Sequence, residues 1–335
     1  MKRPREYPMM PEHPEPEVLA PVAAPVLPPE LLLPPRPDPR QTLSYLRGLL
    51  QSYGLEPKSK LGQNFLIDLN LLDLTCRAAE LSYADSVLEV GTGTGSLTNL
   101  MAKQSGCVYS VEVDEYIQAI ARQIIGSRRN VKLHLGDALA GKNVLNPYML
   151  KGWQDWTAAN GAKTLKLVAN LPYVIATPLI SNLLISGLPI ERMVVMVQWE
   201  IAERMQAVPG TKDFNALSVL VQSVADVSTV RKVLPTNFFP RPKVDSAIIL
   251  IKPNAAKRAK VGDVPKFRAF LRDLYIHRRK NLRQALIGWP SGAKDKDFVD
   301  AKLAELGYDG KERSEVLSLD QHLELSAAFG SQADS

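Results

Sequence analysis

At 335 residues, 45% of them hydrophobic, the chain can bury one large core, or one large and one small. The net charge of +6 is modest, so its distribution matters more than its sum, and no run reaches the roughly 18 apolar residues of a membrane span. Cys76 and Cys107 share no CxxC spacing and the four histidines (His13, His134, His277, His322) form no cluster, which argues against a disulfide framework or a metal site and fits a reducing, cytoplasmic compartment.

Residues 1–40 hold 13 of the 25 prolines, with six acidic and five basic side chains. Such a segment favours extended, solvated chain and buries too little surface to offset its conformational entropy. A mitochondrial presequence would be acid-poor and amphipathic, so a disordered cytoplasmic tail is expected instead. In "QTLSYLRGLLQSYG" (41–54), Leu43, Leu46, Leu49 and Leu50 have helical spacing, and the segment stops near Gly54. "LLDLTCRAAEL" (71–81) predicts a second helix.

The pattern then changes. "SVLEVG" (86–91), "CVYSVEVD" (107–114) and "VKLHLGDAL" (131–139) are short and β-rich, with helix-sized spacers between them, among them "EYIQAIARQII" (115–125). That alternation predicts an α/β doubly wound, Rossmann-like parallel sheet. "LKLVAN" (165–170) and "RMVVMVQ" (192–198) extend it, with "TPLISNLLIS" (177–186) between; "VADVSTVRKVL" (224–234) and "KVDSAIILIK" (243–252) predict a closing antiparallel pair. The polar, Gly- and Trp-containing stretch 141–163 is expected to be a surface loop. After Pro253, residues 257–283 carry ten Lys/Arg against two Asp, and the remainder has helical patterning. The expected organisation is a tail (1–40), an α/β domain (41–254) and a small C-terminal helical domain (255–335).

"LEVGTGTGSLT" (88–98) follows a predicted strand and opens a helix. Gly91, Gly93 and Gly95 permit a tight turn and close approach of a ligand to the backbone. Ser96 stands where the dinucleotide fingerprint has its last glycine, and Glu89 precedes the turn. Glu112 lies 21 residues after Gly91 at the end of the second strand, where a carboxylate accepts ribose hydroxyls. Asp137, after the third strand, can accept from an adenine amino group. Either carboxylate alone also fits a helix cap or a strand end. The ordered set favours S-adenosylmethionine over NAD.

"NLPY" (170–173) ends the fourth strand at the same rim. An aromatic amine is a poor nucleophile because its lone pair is delocalised. Asn170 Oδ1 and the Leu171 carbonyl can accept its two hydrogens and aim the nitrogen, Pro172 fixes the turn, and Tyr173 offers a ring to stack on. By itself the motif is also a plain proline turn; its position after the cofactor set gives it meaning. In "TNFFPRPKVDSA" (236–247), one of Phe238 and Phe239 can close the other side of a base pocket, with Arg241 and Lys243 meeting phosphates.

With these motifs, "KSKLGQNFLID" (58–68), "QWEIAERM" (198–205) and "HRRKNLRQAL" (277–286) included, the chain from about residue 41 to about 328 resembles the ribosomal RNA adenine N6,N6-dimethyltransferases, most closely the KsgA-type small-subunit enzymes. The resemblance implies a class I methyltransferase fold, S-adenosylmethionine as cofactor, and transfer of four methyl groups to two neighbouring adenosines in the 3′-terminal hairpin of small-subunit (16S) RNA. It implies that Gln63, Asn64 and Leu66 close over a cofactor also held by Glu89, Gly91, Gly93, Glu112, Asp137 and Asn170, and that Tyr173 and Phe238 sandwich the adenine. Arg278, Arg279 and Lys280 join Arg241 and Lys243 as RNA contacts; the family default is a monomer, with neither DNA nor membrane as a partner. Thr92 stands in place of the usual proline, and Trp199 in place of a common lysine. Two rivals remain: a large-subunit RNA methyltransferase of the antibiotic-resistance type, and a ribosome-assembly factor that binds without catalysis.

Overall fold

A computed structural model describes residues 43–57, 62–142, 144–276, 280–288 and 295–330. The proline-rich tail, His277, Arg278 and Arg279 lie outside them. Seven strands build the central sheet: β1 (Asp85–Val90), β2 (Cys107–Glu112), β3 (Val131–Leu135), β4 (Thr164–Asn170), β5 (Ile190–Gln198), β6 (Ala225–Val233) and β7 (Ser246–Pro253). Their spatial order is β3-β2-β1-β4-β5-β7-β6; the first five run parallel and β7 is antiparallel to both neighbours. The order reverses beside β1, so the carboxyl ends of β1 and β4 flank a crevice where open sheets bind ligands.

The central strands are nearly continuous apolar runs because both faces are covered. Side chains alternate between them. Val87, Val108, Val168, Val194 and Ile248 pack with helices α2 (Leu69–Ala79) and α3 (Ser96–Met101), which follow α1 (Leu43–Ser52). Leu88, Tyr109, Leu167, Met193 and Ile249 face the opposite cluster, under α5 (Pro147–Ala159), α6 (Tyr173–Ile185) and α8 (Ala216–Val224). Helix α4 (Glu115–Ile125) holds α1 through Ile117 and Ile120, which meet Leu46, Leu49 and Leu50. Helix α7 (Trp199–Gln206) follows β5 directly.

Beyond β7 come α9 (Ala255–Val261), α10 (Val264–Tyr275), α11 (Leu282–Ile287), α12 (Lys296–Leu306) and α13 (Leu319–Phe329). Phe267, Phe270, Leu274 and Phe329 belong to the same apolar cluster as α6 and α8, so these helices dock on one face of the α/β unit. No helix among the described residues is long and apolar enough to cross a membrane.

Two expectations are corrected. The stretch 141–163 is not a surface loop: α5 occupies most of it and covers the sheet, with Met149 and Trp153 at 0% exposure. Trp153 Nε1 donates to Ser86 Oγ (3.0 Å) and Trp156 Nε1 to the Val108 carbonyl (3.1 Å). Asn146 caps this helix and Pro147 fills its first turn, where a missing N–H costs nothing. Helix α6 also starts earlier than the spacing predicts. Tyr173 is its first residue rather than part of a loop, and Pro178 sits inside it.

Candidate active site

The turn between β1 and α3 borders a cavity of about 290 Å³, lined from β1, β2, β4 and the segment before α2. Gly91 has φ +87°, and a Cβ there would lie 3.0 Å from Pro172 Cδ and 3.4 Å from the Asn170 carbonyl oxygen. Only glycine lets this turn approach the Asn170–Tyr173 turn so closely. Gly93 (φ +54°) packs likewise beneath the Phe65 ring, 3.3 Å from where a Cβ would be.

Glu89 lies beneath the turn at 1% exposure. Thr98 Oγ1 (2.5 Å) and Ser110 Oγ (2.6 Å) donate to its Oε2, and the Thr92 hydroxyl is 2.6 Å from Ser110 Oγ. Burial pushes the Glu89 carboxyl up to about 8, against those two hydroxyl bonds. This carboxyl props up the glycine turn from below, and Thr92, the residue in place of proline, ties the turn into the same network.

Glu112 ends β2. Its Oε2 accepts from Gly93 N (2.9 Å), and Oε1 accepts from Val113 N and Asp114 N (both 3.1 Å). Burial raises this carboxyl while the three backbone N–H groups oppose the rise. An ionised carboxylate has about four acceptor positions, so capacity remains for a ligand hydroxyl. Asp137 is exposed at the cavity edge and accepts from Leu139 N (2.9 Å).

Asn170 ends β4, and its Nδ2 donates to the Asn64 carbonyl (3.2 Å), which leaves Oδ1 as acceptor beside the Leu171 carbonyl. The Tyr173 hydroxyl is 2.6 Å from Ser246 Oγ, so the ring is held by β7 at the cavity mouth; burial raises its phenol despite that bond. Gly62, Gln63, Asn64, Phe65 and Leu66 arch over the same cavity. Gln63 Nε2 reaches Asp114 Oδ2 (3.3 Å), tying the arch to the start of α4.

A short antiparallel ribbon joins this arch to the second aromatic motif. Phe65 pairs with Phe239 and Leu66 with Phe238, and Ile67 N donates to the Asn237 carbonyl (2.9 Å). Sequence inspection misses the ribbon because two-residue strands carry no periodicity. It also missed Gly62, whose left-handed φ of +66° favours glycine where the chain passes beside Pro172 and Tyr173; the glycine in "KLGQN" was the only available signal.

Among the expected site residues, Gln63, Asn64, Leu66, Glu89, Gly91, Gly93, Glu112, Asp137, Asn170, Leu171 and Tyr173 all line this one cavity. Phe238 does not. It is 3% exposed and packs among Leu66, Val194, Val233 and Ile248, because the ribbon's alternation turns it inward. In this conformation Tyr173 has no facing partner in Phe238. Its neighbour Phe239 is half-buried beneath the Arg47 guanidinium, 5.1 Å from the ring centroid.

The expected RNA contacts divide. Arg241, Lys243 and Lys280 are exposed. Much of the basic run 257–283 is spent internally: Lys257 pairs with Asp226 (2.8 Å), Arg272 with Asp273 (2.9 Å) and Arg283 with Asp300 (2.5 Å). Arg258 donates to the Leu184 and Ile185 carbonyls (2.6 and 3.1 Å) and Arg268 to Asn182 Oδ1 (2.6 Å). All but Arg272, whose partner is its neighbour in α10, bolt helices to one another or to the sheet.

The chain was compared with known proteins. The family model for ribosomal RNA adenine dimethylase matches residues 54–314. "Ribosomal RNA small subunit methyltransferase A" of Halothermothrix orenii is 37% identical over 280 residues, 83% of this chain and 90% of that protein. The protein of the same name from Pediococcus pentosaceus is 38% identical over 285 residues, covering 83% and 92%. Among solved structures, a dimethyladenosine transferase from Plasmodium falciparum superposes with a TM-score of 0.63 at 25% identity, covering 79% of this chain and 97% of that one. The 23S rRNA methyltransferase ErmE, at 22% identity and a TM-score of 0.55, covers 79% and 99% and shares the fold. The family match spans the arch, the glycine turn, the Asn170 turn and most of the C-terminal helices, and on that breadth the chain belongs to the ribosomal RNA adenine dimethylase family.

Proposed function

We propose that this protein transfers methyl groups from S-adenosylmethionine to N6 of two adjacent adenosines in the 3′-terminal hairpin of small-subunit (16S) ribosomal RNA, as a cytoplasmic monomer acting in ribosome biogenesis. The observation that carries this is the placement of the Asn170–Tyr173 turn at the mouth of a cavity that also holds Glu112 and Asp137. The donor set fits the cofactor: two carboxylates at successive strand ends match ribose hydroxyls and an adenine amine, and the glycine turn, packed against Pro172 and Phe65, borders the same cavity. The Halothermothrix orenii and Pediococcus pentosaceus relatives are both named for the small subunit.

When bound, S-adenosylmethionine supplies a methyl group activated by its sulfonium. The chain's own residues supply orientation. Asn170 Oδ1 and the Leu171 carbonyl accept hydrogen bonds from N6, from two N–H groups in the first transfer and from the one remaining in the second, fixing the amine in line and favouring a pyramidal, more nucleophilic nitrogen. Both acceptors are neutral, so they aim the amine without adding a positive charge beside the methyl group. Tyr173, anchored by Ser246, stacks on the base, and the arch from Gly62 to Leu66 keeps water from the methyl. The α/β domain (41–254) carries this chemistry; the C-terminal helices (255–335), with Lys280, Arg278 and Arg279, meet RNA together with Arg241 and Lys243.

The test is methyl transfer from labelled S-adenosylmethionine to immature small subunits and, in parallel, to protein-free large-subunit RNA, with the nucleoside identified by mass. Dimethyladenosine in the small-subunit 3′ hairpin is the expected product. Label only in large-subunit RNA, or subunit binding without label, overturns the assignment.

A further inference from the structure

The structure points to a cation for RNA docking that lies outside the basic C-terminal run. We infer that Arg47, on α1, belongs to the face that receives the RNA phosphodiester backbone, forming one arc with Arg241 and Lys243 beside Tyr173. This inference rests on the proposed function.

Four observations lead to it. First, half of the ten cations of 257–283 are held by protein acceptors: Lys257, Arg272 and Arg283 pair with acids, and Arg258 and Arg268 bond neutral oxygens. A cation already paired with an acid releases little counterion-derived free energy when RNA arrives, because its charge is already compensated. Docking charge must come chiefly from uncompensated cations. Second, Arg47 is exposed and, among the described residues, pairs with no acid; its guanidinium instead lies over the Phe239 ring at 5.1 Å. A cation–π contact occupies the face of the guanidinium and leaves its in-plane N–H donors and full charge available to phosphate.

Third, the ring beneath Arg47 belongs to the turn that carries the other two cations. Phe239 is two residues before exposed Arg241 and four before exposed Lys243, and Ser246 further along that segment holds the Tyr173 hydroxyl at 2.6 Å. The arc therefore adjoins the mouth where the target base must enter. Fourth, Arg47 stands on a fixed platform: Leu46, Leu49 and Leu50 on either side of it are buried against α4. Little ordering entropy remains for binding to remove. Lys232, over the Trp199 ring at 4.5 Å, makes a useful contrast, because it is also paired with Asp245 at 2.9 Å.

The experiment measures binding of the full chain to undermethylated small ribosomal subunits across about 50 to 200 mM salt, the range over which counterion release dominates. Arg47→Ala should reduce the slope of log K against log salt by about 0.7–0.9, the value of one phosphate contact. Cofactor affinity, read by calorimetry with S-adenosylhomocysteine, should stay at the wild-type value. Lys151→Ala removes the same charge from an α5 side chain already paired with Asp155 (2.8 Å) and should leave the slope unchanged. A wild-type slope in Arg47→Ala, or an equal loss in Lys151→Ala, overturns the inference. If the wild-type chain itself fails to bind subunits, the proposed function falls instead, and the two failures are separately visible.

Discussion

The two ends of the central sheet both gather charged side chains, and they use them in opposite ways. At the amino end, Lys166 pairs with Asp85 at 2.9 Å with both side chains at 4% exposure or less, and Lys166 Nζ also donates to the Glu80 carbonyl (2.8 Å). Arg192 beside it donates to the Ala78 carbonyl (2.9 Å) and to Glu80 Oε2 (2.6 Å). Charge there is turned onto protein partners, with Arg192 Nε the one buried donor of the group left without a hydrogen bond, and pins the left-handed Glu80 cap of α2 to the strands. At the carboxyl end, Glu112, Asp137 and Asn170 are steadied by the protein yet keep acceptor capacity facing a cavity. Composition does not separate the two ends. A buried ionic group that is fully paired signals architecture, and one with spare acceptors beside open volume signals chemistry.

Substitutions should separate the ends as cleanly. Asn170→Ala, at the open end, should lower single-turnover methyl transfer by at least about 10²–10³-fold, the usual cost of deleting one preorganised polar group, with the thermal midpoint near wild type. Equal loss of folding would make Asn170 a structural asparagine. Lys166→Ala, at the closed end, should do the reverse: stranding Asp85 in the core should cost about 3–5 kcal/mol of stability in denaturant titration, with activity per folded molecule retained. A stable variant would mean that water reaches Asp85 freely.

The smallest effect belongs to Glu89, which sits at the open end but is built like the closed one. Its folded-state value of about 8 lies above the ordinary 4.5, so the folded protein keeps a proton that the unfolded chain has released. The stability gained is fully present below 4.5 and is lost as pH climbs to about 8. His322, buried against Tyr275 and held down to about 4 from 6.5, titrates the opposite way and only on the acid side. Between pH 6.5 and 8 the histidine is therefore silent, and the decline belongs to the buried carboxyls, Glu89 and the likewise raised Glu112. Glu89→Gln should flatten the decline in stability there, measured by denaturant midpoints; an unchanged slope would assign the decline to another group.

The open end was the more legible in sequence. Glycine turns, a carboxylate spaced 21 residues on, and a proline stopping a strand are local chemical statements, and local statements survive folding. The buried network was not legible, because Asp85, Lys166 and Arg192 come from three strands whose neighbours are set by topology alone. Helix α5 was hidden by composition: Gly152, Lys151 and Asp155 suggest a loop, while the helical clues are Asn146–Pro147 and the four-residue spacing of Met149 and Trp153. The inward turn of Phe238 was equally out of reach, since which of two adjacent aromatics faces the core is fixed by pairing with Phe65–Leu66.

That ribbon binds two recognition events into one object. Its Phe65–Leu66 strand roofs the cofactor cavity, and its Phe238–Phe239 strand leads into Arg241 and Lys243. Neither strand can shift without disturbing the two backbone pairings that are its whole length. A ligand that shifted one strand would have to carry the other with it, and thermodynamic reciprocity would make any such coupling equal in both directions.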